Sequence, residues 1–183
     1  VENMIITSTH NTILFFTNKG LVYQLKGYEI PESGRTAKGT AIVNLLPLAK
    51  EETITAIIPI KEFSKDRYLF MATRHGIVKK TGLSEFDTNR KKTGLIALSL
   101  KENDELIGVK LTDGNRQIII GTRDGMSICF NEQDVRPMGR TARGVIGIKL
   151  KGEDTVIGMD NIRDDCEVLT VTEHGFGKRT ATS

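Results

Sequence analysis

Residues Tyr68–Thr81 read YLFMATRHGIVKKT: an apolar run of strand formers (Tyr68–Thr73), a turn at Arg74, His75 and Gly76, then a second extended stretch, Ile77–Thr81. That is the signature of a β-hairpin. The phrase Thr, any, any, Gly that makes the turn occurs four times, at Thr17–Gly20, Thr73–Gly76, Thr122–Gly125 and Thr172–Gly175, at intervals of 56, 49 and 50 residues. Such a period is too long for a solenoid of paired helices and suits a four-stranded sheet per repeat.

Downstream of the second hairpin come a basic segment from Ser84 to Gly94, an apolar stretch Leu95–Leu100, an acidic turn from Lys101 to Glu105, and a further strand-like run Leu106–Leu111. The third repeat follows the same order: Gln117–Thr122, a turn at Asp124 and Gly125, Met126–Phe130, a basic segment ending at Gly144, Val145–Leu150, an acidic turn, and Val156–Met159. No stretch keeps apolar residues at helical spacing for three turns, and Val, Ile and Thr abound. The expectation is an all-β chain, a propeller-like tandem of four-stranded blades, each burying its faces against its neighbours. Approximate units are 4–60, 68–111 and 116–160 with a fragment 166–183, opened by a strand-like Met4–Ser8. The pattern does not close at either end and reads as a piece of a longer array.

With 183 residues, 27% charged and 38% apolar, the chain has the balance of a globular protein, and no apolar run approaches the roughly 20 residues of a membrane span. The N-terminus lacks the features of a signal peptide. Cys129 and Cys166 lie far apart in apolar, strand-like settings, which predicts small buried thiols and a reducing, cytoplasmic location.

The net charge of +3 says little, but its distribution says more. The turn after each hairpin is basic and ends in glycine. Arg35 and Lys38 lie in Ser33–Gly39, Arg90, Lys91 and Lys92 in Thr88–Gly94, and Arg140 and Arg143 in Met138–Gly144. One strand later the turn is acidic: Glu51 and Glu52, then Glu102, Asp104 and Glu105, then Glu153 and Asp154. Turns one strand apart fall at opposite ends of a meander, which predicts a basic rim along one edge and an acidic rim, serving solubility or repelling a polyanion, along the other. A single loop cation is ordinarily just solvated, but recurrence at one register argues against that here. Small residues beside the cations (Thr36, Ala37, Thr141, Ala142) allow a phosphodiester backbone to approach and backbone amides to bond it. Aromatic residues are 5% and Trp is absent, which favours duplex, sequence-tolerant contact over base stacking. Lys79, Lys80, Lys178 and Arg179, just past the hairpin turns, extend the track as a second tier, since strand alternation would send one of each pair away.

Chemistry has no candidate residues. Gly34–Thr40, GRTAKGT, lacks the lysine and following helix of a phosphate-binding P-loop. Gly175 and Gly177 open a GxG in a hairpin context without the final glycine. His75 and His174 occupy the place of Asp124 and Lys19, as turn residues tolerating positive φ. His10 has no ligand-spaced partner, and no metal or nucleophile constellation appears. A propeller that docks proteins through an exposed apolar patch is the alternative class.

The stretches TNKGLVYQLKGYEIPESGRTAKGTAIVNLLPL (Thr17–Leu48), MATRHGIVKKT (Met71–Thr81), VRPMGRTARGVIGIKL (Val135–Leu150) and GFGKRTA (Gly175–Ala181) resemble the C-terminal domain of bacterial DNA gyrase A subunits. The related topoisomerase IV domain matches the first of them less well. The resemblance implies a β-pinwheel, a six-bladed ring with strand exchange between blades that wraps double-stranded DNA on its basic outer edge. It also implies that this chain holds about blades two to four and part of five. The family's Gln-Arg-Arg-Gly-Gly-Lys-Gly box is absent, with degenerate counterparts ending at Gly39, Gly94 and Gly144. Cleavage and ATPase sites, with ATP and Mg, would lie in other regions, and the partners would be the B subunit of gyrase together with a second copy of the A subunit. None of Tyr23, Tyr28 and Tyr68 has the setting of a nucleophile.

Overall fold

The computed structural model describes residues 4–88, 93–162 and 167–181. Among them are thirteen strands: β1 (Thr12–Thr17), β2 (Leu21–Lys26), β3 (Ile54–Ile60), β4 (Tyr68–Thr73), β5 (Ile77–Gly82), β6 (Leu95–Ile96), β7 (Leu106–Thr112), β8 (Gln117–Thr122), β9 (Ser127–Asn131), β10 (Val145–Ile146), β11 (Val156–Ile162), β12 (Glu167–Val171) and β13 (Gly177–Ala181). Helical structure is limited to single 3-10 turns, and no helix of the described residues is long and apolar enough to cross a membrane. The all-β, propeller-like reading holds. Met4–Ser8 forms no strand.

The hairpins owe their form to the Thr, any, any, Gly phrase. In each copy the glycine N–H donates to the threonine carbonyl, at 3.0, 3.1, 3.1 and 2.9 Å for Gly20, Gly76, Gly125 and Gly175. In three of them the threonine hydroxyl accepts the N–H that follows the glycine: Ile77 to Thr73, Met126 to Thr122 and Phe176 to Thr172. The glycines sit at φ +74°, +83°, +84° and +80°, where side chains are strained. The histidines that precede Gly76 and Gly175 are not at positive φ; the glycines carry that requirement, correcting the expectation for His75 and His174.

The second and third repeats each supply four strands, but the four do not share one sheet. The sheets run β3-β1-β2-β6, β7-β4-β5-β10, β11-β8-β9 and β12-β13. The short strand after the basic segment crosses to the preceding blade: Leu95 pairs with Val22 and Ile96 with Leu21, as Val145 pairs with Val78 and Ile146 with Ile77. These exchanged strands are two residues long, not the six expected from Leu95–Leu100 and Val145–Leu150. The exchange explains a second demand on the turn glycines. A Cβ on Gly20 would lie 2.5 Å from Leu98 O and one on Gly76 2.6 Å from Ile148 O, because the incoming chain hydrogen-bonds the turn there, Ala97 N–H to Gly20 O and Gly147 N–H to Gly76 O.

Strands β3, β7 and β11 pack side by side and form the inner edge, which leaves β6 and β10 on the outside. Blades stack through both faces. Leu14 and Phe16 of β1 meet Leu69 and Met71 of β4 in one core, while Phe70 and Ala72 of β4 meet Ile118 and Ile120 of β8 in the next. Ile13 and Phe15 fill a third cluster with Tyr23, Leu25 and Leu46, so the whole of β1 is buried. Phe16 and Phe86 pack edge to face at 6.1 Å.

Candidate nucleic-acid interface

The second and third basic segments lead into the exchanged outer strands β6 and β10, the first into a 3-10 turn at Ile42–Asn44, and the first and third share one local design. Ala37 N–H donates to Gly34 O and Ala142 N–H to Gly139 O, both at 3.1 Å, and each loop leaves through a left-handed glycine, Gly39 and Gly144. Gly144 also passes so near β5 that a Cβ would come 2.4 Å from Val78 O. Arg35, Lys38 and Arg143 are exposed, and among the described residues no carboxylate pairs with them. Arg140 differs: its half-buried guanidinium donates to Ile96 O at 3.3 Å. Arg90, Lys91 and Lys92 lie outside the described residues. Their segment is placed at its end by Gly94, packed on the Tyr23 ring, whose hydroxyl donates to Glu52 Oε2 at 3.2 Å. Burial, then the Glu52 carboxylate, raises the Tyr23 pKa above its ordinary value.

The second-tier lysines of the second hairpin are not surface groups. Lys79 and Lys80 are 0% and 4% exposed. The Lys79 ammonium donates to Ala97 O at 2.7 Å and to Arg140 O, joining the strand exchanged from the second repeat to the basic loop of the third. Burial, with the Arg140 charge adding to it and Glu85 opposing, lowers its pKa to about 8. Lys80 donates to Glu132 O at 2.7 Å and lies 5.2 Å from the centre of the Tyr68 ring. Its pKa is also lowered by burial, against the pull of Glu132. Alternation predicted one inward and one outward side chain; with a neighbouring repeat on both faces of the hairpin, both are covered. Lys178 and Arg179 are exposed on β13, and Arg179 pairs with Glu167 at 3.0 Å.

The acidic turns are also structural at their aligned positions. Glu52, Asp104 and Asp154 are each 7% exposed. Asp104 accepts the N–H groups of His75 and Glu105, Asp154 those of Asp124 and Thr155, and Glu52 that of Ala49. Burial alone would raise the Asp154 pKa, but the hydrogen bonds from Thr122, Asp124 and Thr155 and the Arg123 charge outweigh it and hold the pKa low. The hairpin turns at this end add Arg74, paired with Glu105, and Arg123, paired with Asp124. The expected acidic rim therefore divides: Glu52, Asp104 and Asp154 pin hairpins, while Glu51, Glu102 and Glu153 are exposed, with cations among them. Cys129 is exposed, not buried as expected, and Cys166 lies outside the described residues.

Sequence reasoning missed the groups that hold the loops. Ser99 stitches the third repeat's loop twice, N–H to Ala142 O at 3.2 Å and hydroxyl to Thr141 O at 2.7 Å. No local signal marks it. Tyr23 and Lys79 could have been flagged as aligned third residues after the turn glycine.

A family model described as the DNA gyrase C-terminal domain, beta-propeller, matches residues 11–61, 67–113, 116–163 and 167–183. The DNA gyrase A subunit of Staphylococcus epidermidis is 50% identical over 186 aligned residues, covering 100% of this chain and 21% of that protein. Its counterpart in Halalkalibacterium halodurans is 59% identical over 148 residues, 81% of this chain and 18% of that protein. The chain thus spans about a fifth of the length of these relatives. Among solved structures, a DNA topoisomerase IV C-terminal domain superposes with a TM-score of 0.88 at 32% identity, covering 93% of this chain and 53% of that one. A DNA gyrase A C-terminal domain gives 0.75 at 28%, covering 94% and 55%. The topoisomerase IV alternative is not favoured, since identity to the gyrase proteins of these two bacteria is well above 32%. The chain belongs to the DNA gyrase C-terminal domain family of β-propellers.

Proposed function

We propose that this chain binds double-stranded DNA without sequence preference along its outer edge, bending the duplex from one basic loop to the next. The observation that carries the reading is the repeated loop: the same turn presents Arg35 and Lys38 in one repeat and Arg143 in another, exposed and free of carboxylate partners among the described residues. Bending a short duplex costs on the order of 1–6 kcal/mol, offset by many weak ionic contacts. In a longer polypeptide the domain would support ATP-dependent negative supercoiling by a type II topoisomerase. Mg, ATP and the cleavage chemistry would then be handled outside this chain, in an assembly with the B subunit of gyrase plus a second copy of the A subunit, at the nucleoid of a bacterial cytoplasm.

A salt titration of duplex affinity tests it. If roughly five of the seven cations Arg35, Lys38, Arg90, Lys91, Lys92, Arg140 and Arg143 meet phosphates, log K against log salt falls with a slope of about −4 to −5. A slope near zero overturns the reading. Neutralising Arg90, Lys91 and Lys92 together should weaken binding to all sequences about equally.

A further inference from the structure

We infer that Lys79 is a positioning residue that fixes the relation between two successive basic loops, and so sets how sharply a bound duplex must bend. The inference rests on the duplex-binding reading and deepens it. Its basis is one set of bonds between the second and third repeats. The Lys79 ammonium, rooted on β5, reaches Ala97 O, three residues beyond the end of the second repeat's basic segment at Gly94, and Arg140 O within the third repeat's loop. Around it Arg140 donates to Ile96 O, Ser99 N–H to Ala142 O, Ser99 hydroxyl to Thr141 O, and Met138 N–H to Lys80 O. Every acceptor is a main-chain carbonyl, so the bonds hold the backbones of the two segments and leave the exposed Arg143 side chain free to meet an anion.

The Lys79 ammonium is hydrogen-bonded to carbonyls, with Glu85 acting on its charge without a bond, and at 0% exposure it has no route to a phosphate. Its charge is oriented inward, on the loop it holds. Elsewhere the clamp is made differently. In the first blade the aligned residue is Tyr23, whose ring packs on Gly94; in the third it is Ile128, which has no such donor. The junction at Lys79 is therefore the one, among the described residues, where an ammonium joins the chain just past one basic segment to the next basic loop.

The test uses the 183-residue chain with Lys79→Met, which keeps the apolar stem and removes the donors, and Ser99→Ala, a milder cut of the same stitch. Hydrogen exchange of the free protein should show the amides of Ser99, Met138 and Ala142 exchanging about tenfold faster in Lys79→Met and two- to threefold faster in Ser99→Ala, with the β1–β2 hairpin unchanged. A duplex of about 30 base pairs carrying a dye at each end should show a longer end-to-end distance in the complex, at an unchanged salt slope. Unchanged exchange at the three amides overturns the inference, as does acceleration spread evenly over all sheets. A salt slope reduced by about one in Lys79→Met also overturns it, making Lys79 a phosphate contact. If Lys79→Met does not fold, Ser99→Ala decides. If the wild-type chain fails to bend the duplex, the duplex-binding reading falls, while the exchange result still decides the clamp.

Discussion

Hairpins β4–β5 and β12–β13 carry the same turn and, three and four residues past its glycine, the same kind of charge: Lys79 and Lys80 in one, Lys178 and Arg179 in the other. Their surroundings are opposite. In β4, Leu69 and Met71 enter one core and Phe70 and Ala72 the next, whereas Leu169 and Val171 of β12 are 68% and 61% exposed. The lysines follow suit, bonded to carbonyls in the second blade and solvated in the fourth. Residue type and register alone do not decide whether such a cation serves a ligand or the fold. The neighbour that covers the hairpin does.

The largest test of that contrast is apolar. Phe70→Ala should cost roughly 3–5 kcal/mol, because the ring lies between blades and against Phe130 at 6.0 Å. Leu169→Ala, at the aligned position, should stay within about 0.5 kcal/mol. Urea midpoints measure both; similar costs would mean that the fourth hairpin is packed as the second is.

The charged pairs come next. Lys80→Ala should destabilise by roughly 2–4 kcal/mol, since it removes the bond to Glu132 O and a positive charge acting on the Glu132 carboxylate, 0% exposed and hydrogen-bonded by Thr112 and the Arg116 N–H. Adding Glu132→Gln should recover part of that loss. Arg179→Ala removes an exposed pair with Glu167 and should cost about 0–1 kcal/mol. A Lys80→Ala variant as stable as wild type would sink the assignment of Lys80 to the interior.

The contrast also marks what could be read from sequence. The hairpins were legible because their chemistry is local: a threonine hydroxyl, a left-handed glycine and the glycine N–H bond to the threonine carbonyl lie within five residues. The basic loops were legible through their register, Gly34 to Gly39 matching Gly139 to Gly144. Strand exchange could not be derived from the residues, and entered only through the family resemblance, because Leu95 pairs with Val22 of another repeat and its two-residue strand has no pattern of its own. Lys79 and Lys80 were misjudged because period-two alternation assumes one wet face, which a hairpin between two blades lacks. The acidic turns misled for a related reason. Glu51, Glu102 and Glu153 are exposed, as a surface charge would be, yet Glu52, Asp104 and Asp154 each stand two residues before an apolar strand start, Ile54, Leu106 and Val156, where a side-chain acceptor satisfies turn N–H groups.

The smallest expected effect is a dependence of stability on pH. Lys79 has a folded-state pKa near 8 against 10.5 ordinarily, so between those values the unfolded chain binds more protons, and stability rises with pH through that window. Lys80, lowered by burial too, acts in the same direction. Tyr23, raised above 10.0, acts oppositely once the unfolded phenol ionises, so the rise is best read between pH 8 and 10. A gain of about 1–2 kcal/mol is expected there for the wild-type chain. Lys79→Met should show much less of it, and Lys178→Met should leave it intact. A rise that survives Lys79→Met would assign the titration to another group and remove the clearest energetic sign that the two hairpins hold their lysines differently.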